Sequence, residues 1–333
     1  MLSKLRFFVQ NHCKPLYAIL LKVNTYLRKY SSRERKKRFG NSNPEDTVYV
    51  IRIRRQTLGL MGYYMAVLGH LRISDGGGYL PVVDMMNQKN TYLSQEQVGK
   101  FNAWDYFFEP LCRVSLSQAY ESKNVILSCM ETPFEASPRS FYERVYKTGK
   151  LEDYFRLVKK YIRLNKKSEA IVIDLYNSLF QPIFARQKRI LGVVSRSTDI
   201  IGFPGHSVQP SVEELADLVA AYMKQHNCSY VFMASDSDKA IDFFKNRFGE
   251  DKIIFNESKR YDDFARSNAN VLSEMHFNRE NDEYLKGMEY LSTMYLLSKC
   301  NVLFGSLVGS TIGAICMNCG AYDAIEIYDK GVY

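Results

Sequence analysis

Apolar residues recur along the chain in two rhythms: short solid or alternating runs, and longer stretches where they return every third or fourth position. The runs at 47–53, 80–84 and 124–128 read as strands, with a helix through 71 between the first two. A further helix is predicted at 93–108, weighted at its end by Trp104, Tyr106, Phe107 and Phe108, and such a cluster serves either as core or as a carbohydrate-stacking surface. Residues 139–181 are mostly helical, best patterned at 151–162 and 171–180. Beyond Pro182 the alternation becomes regular: strands at 190–195, 230–234, 252–255, 301–304 and 324–328, helices at 211–226, 240–248 and 282–299, and a short one after 311. This order predicts an α/β protein of two Rossmann-like, doubly wound domains, an N-terminal one at 41–182 and a C-terminal one at 183–333.

Composition supports that reading. A chain of 333 residues that is 46% hydrophobic is long enough for two ordinary cores. No apolar run approaches the roughly 18 residues needed to span a bilayer. The formal charge of +9 changes the picture only once it is located. Residues 1–40 carry eleven of the 45 Lys/Arg and one of the 36 Asp/Glu, which leaves 34 cations against 35 acids in the body. The body therefore has no bias toward a polyanion, and nucleic acid is not an expected partner. The basic arm at 1–40, with its small apolar patches and the cluster from Arg33 to Arg38, reads either as a peripheral anchor on an anionic membrane surface or as a solvated tail. Seven cysteines without a short, even framework read as reduced thiols of a cytoplasmic protein. The single Cys316-Met-Asn-Cys319 pair is read as core packing ahead of zinc or redox use.

Candidate chemistry gathers where strands end. The strand at 190–195 breaks into Arg196, Ser197, Thr198 and Asp199, and ligands of parallel sheets bind outside the carboxyl ends of strands. Arg196 and Asp199 are either a local ion pair or the start of a ligand site. Two more loops fall on the same edge: Ser235, Asp236 and Asp238, and the turn holding Ser306, Gly309, Ser310 and Thr311 just before a helix. Backbone N–H groups and hydroxyls at a helix N-terminus, with an arginine beside them, describe a diphosphate site of the kind that recognises a nucleotide-sugar donor. Asp236-Ser-Asp238 is also a D-x-D string, but its place before a helix reads as capping rather than metal binding, so no metal is expected. In the first half, Gly59 and Gly62 form a glycine loop after the first strand, and Asp84 ends the second.

These motifs resemble the GT-B fucosyltransferases, the group of alpha-1,6-, rhizobial nodulation and protein O-fucosyltransferases. Val194-Ser-Arg196-Ser-Thr-Asp199 is similar to their H-x-R-x-x-D motif, 231–238 to the second motif and 301–310 to the third, while 59–84 and Phe107-Phe-Glu-Pro110 resemble the first domain of the nodulation enzymes. The resemblance covers roughly 47–330 and is closer still to bacterial polysaccharide-biosynthesis proteins with an R-G-T-D-Y variant. It implies a GT-B fold with two domains facing a cleft, and an inverting, metal-independent glycosyltransferase using GDP-fucose to build a bacterial surface polysaccharide at the cytoplasmic face of the membrane. By the same resemblance Arg196 binds the donor β-phosphate, Asp199 is the candidate base, Ser197, Thr198, Ser235, Asp236, Asp238, Asn301, Ser306, Gly309, Ser310 and Thr311 surround the donor, and Gly59, Gly62 and Asp84 lie toward a glycan or lipid-linked saccharide acceptor. Val194 departs from the motif histidine, Ser197 from a second arginine, and Asn301 from a base-reading aspartate. Those departures keep open a non-catalytic nucleotide- or sugar-binding paralogue.

Overall fold

The computed structural model describes residues 32–333. Two sheets carry the fold. The first contains β1 (Arg35–Lys37), β2 (Ser42–Arg52), β3 (Leu80–Asp84) and β4 (Ser122–Leu127) in the order β1-β4-β2-β3. β3 and β4 run parallel to β2, and β1 is antiparallel to β4. Helix α1 (Leu60–Gly76) makes the crossover from β2 to β3 and is apolar on most of its surface. Helices α2 (Leu151–Tyr161) and α3 (Lys166–Leu179) lead to the second sheet.

The second sheet is wholly parallel. Its elements follow as β5 (Ile190–Ser195), α4 (Val212–Gln225), β6 (Tyr230–Ser235), α5 (Asp238–Phe248), β7 (Ile253–Ile254), α6 (Asp282–Leu297), β8 (Val302–Ser306), α7 (Gly309–Asn318) and β9 (Ala324–Tyr328), and the strands lie in the order β7-β6-β5-β8-β9. Every residue of β5 is buried because helices cover both faces. Leu191 and Val193 join the cluster of Leu215 and Val219 from α4 with Phe244 from α5. Ile190 and Val194, on the opposite face, join Leu297 of α6 and Ile312 of α7. Each such side chain contributes about 1.5–3 kcal/mol on burial. Ser211 caps α4, its Oγ accepting from Glu214 N at 3.1 Å, with acids in the first turn.

Two expectations are corrected. Residues 93–108 do not form a helix; they are turns with one 3-10 turn at Ala103–Tyr106. Their aromatic residues are bunched rather than spaced at helical intervals, and local bonds hold a bent path: Asn102 accepts from Met85 N at 2.9 Å and donates to Val83 O at 3.0 Å. Trp104 stacks on Phe108 at 4.3 Å and Phe107 meets Tyr92 at 5.4 Å, all buried, so this cluster is core. Phe107 also stacks on Tyr284 of α6, and Gly287 lies so close that a Cβ there would sit 2.2 Å from Phe107 Cζ. The second concerns the start of the N-terminal domain, expected at residue 41. The first sheet already begins at β1, where Arg35 lies opposite Leu127 and Lys37 opposite Val125, a cationic strand at a sheet edge. Residues 1–31, the greater part of the basic arm and its expected membrane anchor, lie outside the described residues.

His70 makes the first half sensitive to pH. It is buried in α1, its Nδ1 lies 3.1 Å from the Tyr49 hydroxyl, and its Nε2 is buried with no partner among the described residues. Burial, with Arg52 and Arg72 nearby, lowers its pKa to about 4. The folded value lies below the unfolded one of about 6.5, so this contribution is complete above 6.5 and fades as pH falls toward the folded value. At pH ~4.5 the loss is expected to reach about 2–3 kcal/mol. His70→Phe should flatten the fall of the urea midpoint between pH 7 and 4.5; parallel curves for both proteins would show that His70 is not the group responsible.

Candidate functional site

The topology places the site. From β5 the chain steps outward to β6 and β7, then returns to the other side of β5 for β8 and β9, so the switch point lies between the carboxyl ends of β5 and β8. A cleft of about 610 Å³ opens there, lined by both halves of the chain. Arg196 and Asp199 follow β5, Ser235 and Asp236 end and follow β6, and Gly309 and Ser310 begin α7. Gly59 and Gly62, at the start of α1, close it from the first half.

Arg196 stands at the centre of a preset triad. Its Nε donates to Asp236 Oδ2 at 2.9 Å and its Nη2 to Asp199 Oδ1 at 2.5 Å. Burial alone would weaken its hold on the proton, but the carboxylates of Asp236 and Asp199 outweigh it and raise the guanidinium pKa above its ordinary value. Two of the five N–H donors are committed to these bonds, which leaves the rest of a rigid fork for a ligand. Asp236 is saturated: Oδ1 accepts from Ser197 N at 2.9 Å and Ser197 Oγ at 3.3 Å, and Oδ2 also accepts from Thr198 Oγ1 at 2.6 Å. Ser197 and Thr198 thus hold Asp236 and stand behind the cleft wall.

Asp199 is equally committed. Its second oxygen accepts from Leu272 N at 3.1 Å, so the carboxylate aims Arg196 and ties down the 272 loop. Both oxygens of the expected base are thus engaged by protein donors. Ser306 and Thr311 are fully buried beneath the turn, where Thr311 Oγ1 donates to Ser306 O at 2.6 Å. Gly305 is required at this point, because a Cβ would meet Thr311 Oγ1 at 2.6 Å. Asp238 is turned outward, its side chain 68% exposed and 3.8 Å from Arg260 Nε.

Two residues are not brought to the cleft. Asn301 precedes β8 and lies at the amino edge of the sheet, where its Oδ1 accepts from Ile190 N at 2.9 Å; it pairs strands instead of touching a donor. Asp84 is sealed at the end of β3 by the Tyr120 hydroxyl at 2.6 Å and by Asn87 and Met86. Cys316 is buried in α7, where burial pushes its thiol pKa up, and Cys319 Sγ donates to its carbonyl at 3.2 Å.

The triad sums to one negative charge, and further cations line the cleft, among them Arg139 paired with Asp329 and Lys286 with its Nζ 3.5 Å from Asp282 Oδ2. Arg55, Arg139, Arg196, Lys259, Arg260 and Lys286 line it against Asp199, Asp236 and Glu289. Arg260 and Lys286 went unnoticed in the sequence. The Arg260 side chain is 5% exposed, its Nη2 donates to Asn256 O at 2.7 Å, and its Nε has no hydrogen-bond partner among the described residues. Burial lowers its pKa against the opposing pull of Asp238, Glu289 and Asp236. Lys286 is 4% exposed, donates to Met275 O at 2.7 Å, and burial lowers its pKa too. Arg260 lies in the loop after β7, which falls on the same edge as those after β5 and β6, and Lys286 lies in the second turn of α6; neither residue type marks itself as buried.

No family model and no curated protein sequence matches the chain. Solved structures do. The NodZ alpha-1,6-fucosyltransferase soaked with GDP-fucose aligns over 86% of this chain and 96% of its own at 14% identity, with a TM-score of 0.50. NodZ from Bradyrhizobium aligns over 82% and 93% at 16% identity (TM-score 0.48), and a mutant of Arabidopsis thaliana FUT1 in complex with GDP over 84% and 70% at 12% identity (TM-score 0.46). The first of these shows the fold: the chain has the GT-B architecture of two α/β halves facing a cleft.

Proposed function

We propose that the protein is a glycosyltransferase that binds a nucleoside-diphosphate sugar, with GDP-fucose the first candidate, at the carboxyl edge of the second sheet. The observation that carries this reading is Arg196, fixed by Asp199 and Asp236 at the switch point of a parallel sheet and lining the same cleft as the N-terminus of α7. In an inverting displacement an acceptor hydroxyl attacks the anomeric carbon as the diphosphate departs, and negative charge grows on the leaving oxygen. Arg196, the backbone N–H groups at Gly309 and Ser310, and the buried cations Arg260 and Lys286 are suited to receive that charge. The reading is metal-independent, since Asp236 is saturated by protein donors and Asp238 turns away from it. The glycan or lipid-linked acceptor enters on the Gly59–Gly62 side. A role in bacterial surface polysaccharide synthesis, at the cytoplasmic face of the membrane, belongs to the same proposal; no helix among the described residues is long and apolar enough to cross a bilayer.

A ligand that binds only the native state raises its melting temperature, by about 2.7 kcal/mol of added stability at a hundredfold excess over Kd. GDP and GDP-fucose are expected to raise the melting temperature of the wild type and not of Arg196→Ala, while UDP- and CMP-sugars leave both unchanged. A shift with none of the nucleotides would defeat the reading. The commitment of every cleft carboxylate to an arginine favours, as a second reading, a paralogue that binds donor without transferring it. Release of GDP from bound GDP-fucose separates the two.

A further inference from the structure

A transferase of this kind must remove a proton from its acceptor, and the obvious bases in the cleft are unavailable. Asp199 and Asp236 are held by Arg196, and Glu289 is gripped by Arg279 through both terminal nitrogens, at 2.5 and 3.0 Å. One other group lining the cleft can accept a proton near neutral pH: the imidazole of His206. Building on the transferase reading above, we propose that His206 is the general base. Its free ring nitrogen takes the proton of the acceptor hydroxyl as that oxygen bonds to the anomeric carbon of the sugar. The bond from that carbon to the diphosphate oxygen breaks, and its electron pair leaves with the nucleoside diphosphate.

The construction of the 200–209 loop suits the role. His206 follows β5 on the same wall as Arg196 and Asp199. Among the described residues nothing hydrogen-bonds its ring, which only meets the edge of Phe203 at 5.1 Å. Its backbone, by contrast, is clamped by the segment 331–333: Gly205 N donates to Tyr333 O at 3.2 Å, Tyr333 N to His206 O at 2.9 Å, and Val208 N to Gly331 O at 3.1 Å. Arg139 braces that segment from the first half through a bidentate pair with Asp329, at 2.7 and 2.6 Å, and a bond to Gly331 O at 3.2 Å. A fixed backbone with an uncommitted ring is what a base needs before its substrate arrives. The charged groups that act on the ring are Asp199, Arg196 and Arg55, and the Tyr333 hydroxyl accepts from Gln209 N at 3.1 Å. Partial desolvation of this otherwise exposed ring lowers the imidazole pKa, and Arg196 and Arg55 reinforce this against Asp199, which favours the neutral, proton-accepting form.

The test uses GDP-fucose with water as acceptor, following GDP release and donor affinity separately on wild type, His206→Gln and His206→Ala. The expected result is a fall in turnover of about a hundredfold or more in both variants, with donor Kd within about threefold of wild type. The acidic limb of the wild-type rate profile should vanish in His206→Gln, and added imidazole should restore part of the rate to His206→Ala, a response that a merely structural role would not give. Turnover within about threefold of wild type in His206→Gln, with the acidic limb retained, overturns the assignment while leaving the donor site standing. Failure of wild type to bind GDP-fucose at all overturns the transferase reading and this assignment together.

Discussion

Arg196→Ala is expected to abolish transfer, with kcat/KM down by about a thousandfold or more. Removing a single preorganised donor from a developing oxyanion costs about 10²–10³ in rate. Arg196 offers more than one donor, because Nε and Nη2 are fixed by Asp236 and Asp199 and the remaining N–H groups stay free. The substitution also leaves those two carboxylates, 6% and 8% exposed, facing a dianionic ligand without their cation. Local charge drops from minus one to minus two, so donor affinity falls along with the rate. Some stability goes as well, less than the roughly 3–5 kcal/mol of a broken fully buried pair, because the Arg196 side chain is 23% exposed. Arg196→Lys separates charge from geometry: an ammonium keeps the sign but cannot bridge two carboxylates and a phosphate at once, and a loss nearly as deep as that of alanine is expected. Circular dichroism is to check that the variants are folded, and turnover above about a tenth of wild type in Arg196→Ala would refute the assigned role.

The second sheet and its edge were legible because burial there writes directly into residue type. A parallel strand covered on both faces must be solidly apolar, and β5 announces its own end by turning from valine to arginine. Given that end, the convergence of the loops after β6 and β8 follows from right-handed alternation. What stayed hidden depends on tertiary contact. Residues 93–108 look helical in their apolar content, yet Trp104, Phe107 and Phe108 fill a corner between α1 and α6, a place no period encodes. Asn301 shows that proximity in sequence to a strand is not enough: it sits before β8, and a parallel strand delivers its preceding residue to the edge away from the cleft. Arg260 and Lys286 were invisible for a different reason. A buried cation and a solvated one are the same letter, and only the fold reveals that these two are desolvated toward the cleft.

Asp236 and Asp238 give the sharpest separation of two readings of one short string. As a metal-binding D-x-D, both carboxylates would matter about equally, and chelation would mimic their loss. The geometry instead assigns them unequal work. Asp236, 6% exposed, accepts from Arg196, Ser197 and Thr198, whereas Asp238 is 68% exposed with Arg260 Nε at 3.8 Å as its ion partner. An asparagine at 236 keeps one acceptor oxygen but turns an amide N–H₂ toward donors on the other side, so at least one buried donor loses its partner. Asp236→Asn is therefore expected to cost about 2–4 kcal/mol of stability and, by freeing the Arg196 fork, to reduce transfer about a hundredfold or more. Asp238→Asn should remain within about 0.5 kcal/mol and keep most activity, as exposed substitutions do. Urea midpoints and GDP release from GDP-fucose, each measured with EDTA and with added Mn²⁺, read the difference. Equal losses at the two positions, together with inhibition by EDTA that Mn²⁺ reverses, would replace the anchoring role with a metal site and would require the Asp236 carboxylate to leave Arg196 when the donor binds.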